Sequence, residues 1–363
     1  MKKLAKIITI TDPLPNYGNR LQNYAAQFVL QRLGLDTVTI SIEKCDVSFS
    51  DWIKYLLQSI SFYHLPGNSQ FWKYEFRRKV LFYKFNKKYI HMQKIKSIDE
   101  IGKADFFVIG SDQVWNPNWY KFCPLKKDLF LLTFANPSQK VCFSPSFGIN
   151  TIPQEWENWF KEQLLSFPKL GVREKTGAKI IYELTGRVAE VTIDPTLMLT
   201  VSDWLAISKR PKQVDLNEPY ILLYFLGGIS ENRWIKINEI STKLNLNVYN
   251  LMDKYNKSTY NNSPEEFIYL YSHASLVLTD SFHACVFSFL FGKPFLVYDR
   301  DGKEQSIMSR INTFLKTFFL ERKYVNSNLK NNLLEANYDE GYKQLEIERK
   351  KTLDFLKKSM SME

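Results

Sequence analysis

The sequence predicts an α/β protein of two Rossmann-like, doubly wound domains facing a cleft. Three observations predict it. Apolar runs of strand length alternate with longer segments of helical period along most of the chain. The alternation breaks at residues 208–218, which carry no apolar periodicity and read as a linker. A length of 363 residues is long for one core and comfortable for two. Strands alternating with helices imply parallel sheets covered on both faces.

The elements follow in order. Residues 6–11 form the first strand, and residues 11–19 a loop rich in turn formers. An amphipathic helix runs over 20–33 and stops at Gly34. Residues 37–42 are a second strand, and about 50–95 a helical, aromatic and basic insertion. Strands at 104–110, 140–144, 169–172 and 190–193 alternate with helices at 153–166 and 176–184. The N-terminal domain is thus 1–207. Past the linker, strands at 220–226, 246–251, 275–279 and 295–298 alternate with helices at 231–244 and 263–272, and with a short apolar helix ending near Gly292. Ser263-Pro264-Glu265-Glu266 is a good helix opening. The C-terminal domain spans 219–325, helix 310–319 included, and 326–363 form a helical tail.

Hydrophobic content of 45% and charged content of 24% describe an ordinary globular chain, and no apolar run reaches a membrane span. No signal-peptide pattern follows Met1-Lys2-Lys3, so a cytoplasmic location is expected. The four cysteines show no paired spacing, which suggests neither a disulfide framework nor a zinc site. A net charge of +11 points to an anionic partner. Part of that charge lies in residues 71–89, where lysines and arginines interleave with aromatics. Such a helix either lies on an anionic membrane or packs on its own domain with a solvated basic face. No recognition motif accompanies the charge, so nucleic acid is not an expected partner.

Polar residues collect where strands end. Asn16, Tyr17, Gly18 and Asn19 follow the first strand, and Ser111, Asp112 and Gln113 follow the 104–110 strand. Ser144 and Ser146, then Arg173 and Glu174, then Asp194, follow the next three. Gly227-Gly228 and Asp280-Ser281-Phe282-His283 do the same in the second half. Carboxyl ends of parallel strands are where open α/β sheets bind ligands, and helix N-termini there attract anions. Carboxylates, an imidazole and a guanidinium equip such a site for anion binding and general acid–base chemistry. His283, in the first turn of its helix, is the main candidate; a core histidine is the alternative. Several of the others are equally turn or cap residues. There is no phosphate loop, Gly-x-Gly-x-x-Gly fingerprint or Gly-x-Ser-x-Gly elbow, and His273 and His283 lack metal-ligand spacing.

Five segments resemble the polysaccharide pyruvyl transferase family: VIGSDQVWN at 108–116, SPSFG at 144–148, VREKTG at 172–177, IDPTLML at 193–199 and TDSFHACVFSFLFGKPF at 279–295. The opening NYGNRLQNYAAQ at 16–27 is similar to one bacterial branch. The resemblance implies a fold like the GT-B glycosyltransferases with a site between domains. It also implies transfer of a pyruvyl group from phosphoenolpyruvate onto two sugar hydroxyls, with no separate cofactor and no strict need for a metal. On that basis His283 is a general acid or phosphate ligand, and Asp112 and Asp194 are bases or hydroxyl acceptors. Arg173, Asn19, Arg20, Ser281 and Ser146 are the candidate donor-binding residues. Many family members carry Arg-Leu-His where this chain has Ser281-Phe282-His283. Arg173, Arg20, Arg300 or Lys293 are the cations that can compensate. The implied partners are phosphoenolpyruvate and the sugar of a surface polysaccharide precursor. If that precursor is lipid-linked, residues 71–89 can hold the enzyme at the membrane face. The rival is a glycosyltransferase using a nucleotide-sugar, for which Glu265-Glu266 is the only nearby acidic pair. A non-catalytic assembly partner is a third reading.

Overall fold

The computed structural model describes residues 2–11, 15–42, 68–214, 216–300, 308–325 and 333–362, without the side chains of 68–72 and 121–122. Residues 12–14 of the first loop and 50–67 of the expected insertion lie outside the described residues. In chain order the strands are β1 (Leu4–Ile8), β2 (Asp36–Ile42), β3 (Met92–Ile95), β4 (Phe106–Ile109), β5 (Lys140–Cys142), β6 (Gly171–Val172), β7 (Glu190–Val191), β8 (Tyr220–Tyr224), β9 (Asn247–Asn250), β10 (Leu276–Thr279) and β11 (Phe295–Val297). The longer helices are α1 (Tyr17–Arg32), α2 (Asn68–Tyr89), α3 (Gln154–Leu165), α4 (Lys175–Thr185), α5 (Glu231–Leu244), α6 (Pro264–His273), α7 (Phe282–Leu290), α8 (Met308–Thr317) and α9 (Asp339–Ser359). The chain divides into two compact units. One comprises Met1–Phe62, Asn86–Leu199 and Glu346–Glu363, the other Tyr63–Phe85 and Thr200–Leu345.

The first unit holds a five-stranded parallel sheet of order β3-β2-β1-β4-β5. β1 is central, and its Ala5, Ile7 and Ile8 are fully buried. Parallel sheets carry helices on both faces, which is why such strands read as continuous apolar runs. β6 and β7 pair as a separate two-stranded sheet. Arg173 N–H donates to the Pro145 carbonyl at 2.9 Å and ties β6 to the end of β5. A cluster of rings including Trp115, Tyr120, Phe147 and Phe160 fills the core beneath. The end of α9 also belongs here, although the sequence reads it as part of a separate tail. Arg349 donates to the carbonyls of Leu197 at 2.7 Å and Leu199 at 2.6 Å, and Thr352 Oγ1 accepts from Ile193 N–H at 3.1 Å.

The second unit holds a four-stranded parallel sheet of order β11-β10-β8-β9. Ile221, Leu223, Leu276 and Leu278 are fully buried on its strands, and Leu296 nearly so. Every residue of α7 is buried, as expected of a helix apolar all round. α2 docks its inner side in this unit: Arg78 donates to the carbonyls of Leu251 at 3.2 Å and Tyr260 at 2.5 Å.

Two expectations are corrected. Residues 92–95 are read as helical but form β3, on the edge of the first sheet beside β2. Four residues are too few for their alternation to stand out from the preceding helix. Cys123 is disulfide-bonded, where the sequence suggests no disulfide framework. Cys142 and Cys285 are free and buried, as expected of small core residues.

Candidate functional site

In each of the two larger sheets the strand order reverses once, and the loops leaving the carboxyl ends of the strands diverge at that point. Such a switch point is where an open α/β sheet accepts a ligand. It lies between β1 and β4 in the first unit and between β8 and β10 in the second.

In the second unit, β8 leads into Gly227-Gly228 and β10 into Asp280-Ser281. Asp280 is fully buried. Its two carboxylate oxygens accept from the N–H groups of Leu226 at 2.7 Å and Gly227 at 2.8 Å, which fastens the two loops together. Arg300 Nε stands 3.4 Å from the same carboxylate. The approach is close enough that a Cβ on Gly227 would fall 2.2 Å from Arg300 Cγ. Ser281 occupies the N-cap position of α7 but makes no side-chain capping bond. Its own N–H donates to Thr279 Oγ1 at 3.0 Å. His283 follows in the first turn, 7% exposed, with its ring edge-on to Phe282. The second unit thus presents an imidazole beside a helix N-terminus that its own N-cap side chain leaves uncapped, and such a terminus attracts anions.

The first unit arranges its polar residues differently. Asp194 caps the short helix Pro195–Met198 through Thr196 N–H at 2.9 Å and also accepts from Thr196 Oγ1 at 2.6 Å. Its other oxygen accepts from Ser111 Oγ at 2.6 Å and Arg173 Nη1 at 2.7 Å. Arg173 Nη1 also donates to Ser111 Oγ at 3.1 Å, and Nη2 lies 3.6 Å from Asp112. Burial alone would lower the Arg173 pKa; the charges of Asp194, Asp112 and Glu174 outweigh it and raise it. Arg173 is therefore a buried, fully charged clasp between β4, β6 and β7. Ser146, also buried, donates to Glu174 Oε1 at 2.9 Å, which accepts Phe147 N–H at 3.0 Å as well. Of the two candidate bases, Asp112 keeps 10% of its side chain exposed and Asp194 none. Asp112 (φ 80°) and Ser144 (φ 57°) both adopt the left-handed backbone region. Non-glycine residues there carry strain and cluster at functional loops.

At the start of α1, Asn16 is the N-cap, accepting from Asn19 N–H at 3.2 Å. Asn19 is half-buried in the first turn, while Arg20 is 4% exposed and turned into the unit. Lys293 leads into the amino end of β11, the sheet edge opposite His283, so it does not replace a cation beside the histidine. Glu266 closes a capping box with Ser263 on α6. Cys285 lies one half-turn from His283, and burial followed by the Asp280 charge pushes its thiol up, away from nucleophilic character. Among the described residues no group of three histidine, cysteine or carboxylate side chains is placed to hold a metal ion.

Sequence reading groups Asp280 with turn residues and misses its bond to the loop after β8. An aspartate between a buried strand and a histidine is visible in the sequence, but partners more than fifty residues upstream are not.

The sequence matches the polysaccharide pyruvyl transferase family over residues 16–302. The chain belongs to that family. It is a transferase of polysaccharide biosynthesis, and the matched span contains both polar clusters. No protein of curated function matches the sequence. Solved structures resemble it only distantly. The UDP-GlcNAc 2-epimerase of Neisseria meningitidis bound to UDP-GlcNAc is 12% identical with a TM-score of 0.45, covering 100% of this chain and 95% of that one. The UDP-GlcNAc 2-epimerase of Methanocaldococcus jannaschii is 12% identical with a TM-score of 0.43, covering 96% and 99%. The spinosyn forosaminyltransferase SpnP is 9% identical with a TM-score of 0.39, covering 99% and 95%. At these scores the likenesses carry no argument about this family member. No described helix is long and apolar enough to cross a membrane.

Proposed function

We propose that this transferase moves a pyruvyl group from phosphoenolpyruvate onto two hydroxyls of a sugar in a surface polysaccharide precursor, forming a cyclic ketal and releasing phosphate. Family membership supports the reaction class. The observation that carries the site is His283 in the first turn of α7, whose N-cap residue Ser281 makes no side-chain capping bond. Phosphoenolpyruvate brings a phosphate and a carboxylate, the groups that such a terminus and a protonated imidazole bind. His283 is the general acid that protonates the methylene carbon, or the ligand of the phosphate. Protonation leaves an oxocarbenium-like centre at the adjacent carbon. One sugar hydroxyl adds there and gives its proton to a base. The carbon–oxygen bond to phosphate then breaks, and the second hydroxyl closes the ring. The two hydroxyl protons balance the methyl group formed and the phosphate released. Asp280 and Arg300 hold the loops beside His283 and are positioning residues. No cofactor beyond the donor substrate is invoked. A lipid-linked acceptor would place the work at the inner face of the membrane.

The test is thermal stability with phosphoenolpyruvate and with a panel of nucleotide-sugars, on wild type and His283→Ala. A ligand at a hundred times its Kd stabilises by about 2.7 kcal/mol. A rise with phosphoenolpyruvate that His283→Ala weakens is expected. A rise with nucleotide-sugars alone would replace this donor with a glycosyl donor.

A further inference from the structure

We propose that the outer face of α2 is a docking surface for an anionic phospholipid membrane. The inner side of α2 is occupied. Phe82 and Phe85 are buried, and the Arg78 guanidinium bonds backbone carbonyls and stacks on the Tyr260 ring at 4.4 Å. Glu75, the only carboxylate of this helix, also faces the protein and accepts from the Tyr260 hydroxyl. The outer side carries two adjacent rows. Lys73, Arg77 and Lys84 form one, and all are exposed. Phe76, Val80 and Tyr83 form the other, with Phe76 70% and Tyr83 63% exposed. At the helical period the six positions fall within an arc of about 120°. Lys87 and Lys88 continue the positive charge in the last turn.

Charge complementarity selects the occupant. The arc holds cations and no anion, and two exposed aromatic side chains stand beside them. A helix of that kind lies in the headgroup region, its rings at the acyl boundary and its cations on lipid phosphates and carboxylates. The surface is a convex helix face and not a groove, which suits a planar lipid surface better than a folded acidic protein. Exposed rings also distinguish it from a plain solvated basic face, where nothing offsets the cost of leaving Phe76 in water. The inference does not depend on the reaction proposed above, because none of these residues belongs to either polar cluster.

The test is flotation of the full chain with phosphatidylcholine vesicles and with vesicles of phosphatidylcholine and phosphatidylglycerol. Binding is expected only to the anionic vesicles, and is lost at about 0.5 M salt, where surface charges are screened. Lys73→Glu/Arg77→Glu/Lys84→Glu should lower the partition coefficient by on the order of a hundredfold. Phe76→Ser/Tyr83→Ser should weaken it by roughly tenfold while preserving the salt dependence. All five positions are exposed, and an unchanged melting temperature confirms that both variants are folded. Wild type that ignores lipid charge overturns the proposal, as does a charge-reversed variant that floats like wild type. A parallel titration with a fluorescent oligonucleotide decides the other polyanion. Tighter oligonucleotide than vesicle binding, abolished by the charge reversal, would assign the face to nucleic acid instead.

Discussion

At the scale of single residues, the two polar clusters do different work although both lie at strand ends. Arg173 looks like an anion ligand in the sequence, yet its guanidinium is shared between Asp194, Ser111 and Asp112. Replacing it with leucine leaves two carboxylates without their cation, one of them fully buried. Removing one partner of a buried pair costs about 3–5 kcal/mol. Arg173→Leu should therefore lower the urea midpoint strongly at unchanged m-value. A variant of wild-type stability that has lost only donor binding would return Arg173 to the ligand role. Lys323 makes a second residue-scale prediction. Burial lowers its pKa to about 8, with Glu335 opposing the shift and Arg322 reinforcing it. Its Nζ donates to the Glu335 carbonyl and lies 5.3 Å from the Tyr338 ring centre. An unfolded lysine holds its proton to about pH 10.4, so above pH 8 this residue binds its proton more fully in the unfolded chain than in the folded one. Its contribution to stability then rises with pH in that window, while the thiols of Cys142 and Cys285, which burial raises, contribute a fall above about pH 8.5. Tyrosines such as Tyr120, whose burial raises the pKa, add to that fall above about pH 10. Denaturant titrations at pH 7.5 and 9.5 should therefore be read as a difference: the stability of wild type relative to Lys323→Met should rise between the two, because the thiols are common to both chains.

At the scale of elements, what the sequence shows depends on whether the signal is local. α5 is legible from end to end because its start and stop are written in neighbouring residues: Ser230 precedes it and Asn245, left-handed at φ 50°, ends it. α6 is legible for the same reason, through the Ser263–Glu266 capping box. β10 and α7 are legible as an apolar strand and helix joined by a polar turn. β3 is not, because four residues beside a long helix have no period of their own. The short helix Pro195–Met198 is hidden too, its cap Asp194 reading equally as a turn former. For α2 the pattern predicts a basic-aromatic helix and leaves open which side faces inward. That choice is settled by Arg78, whose carbonyl partners belong to Leu251 and Tyr260, far along the chain. In the candidate site His283 and its helix terminus are local and legible, while the Asp280 clasp on the loop after β8 is not.

At the scale of the whole molecule, the two Rossmann-like units are legible as two runs of alternation, but their membership is not contiguous. The sequence reading takes 1–207 as a unit with a tail at the far end of the chain. The structure returns residues from Glu346 onward to the first unit. Phe355 packs so closely on β6 that a Cβ on Gly171 would lie 2.7 Å from its ring. Arg349 satisfies the carbonyls of Leu197 and Leu199, and Thr352 accepts the Ile193 N–H. A fragment ending at residue 207 loses all of these at once. Buried polar groups left without partners cost about 1–3 kcal/mol each, and deleting the Phe355 packing costs about 3–5 kcal/mol. The sum rivals the net stability of a typical domain, about 5–15 kcal/mol. Fragment 1–207 should therefore be aggregated or lack a cooperative melting transition. Restoring residues 346–363 through a flexible linker should recover that transition, read by circular dichroism. Equal melting of the two fragments would mean that the first unit needs no closing helix, and the boundary would return to the one read from sequence.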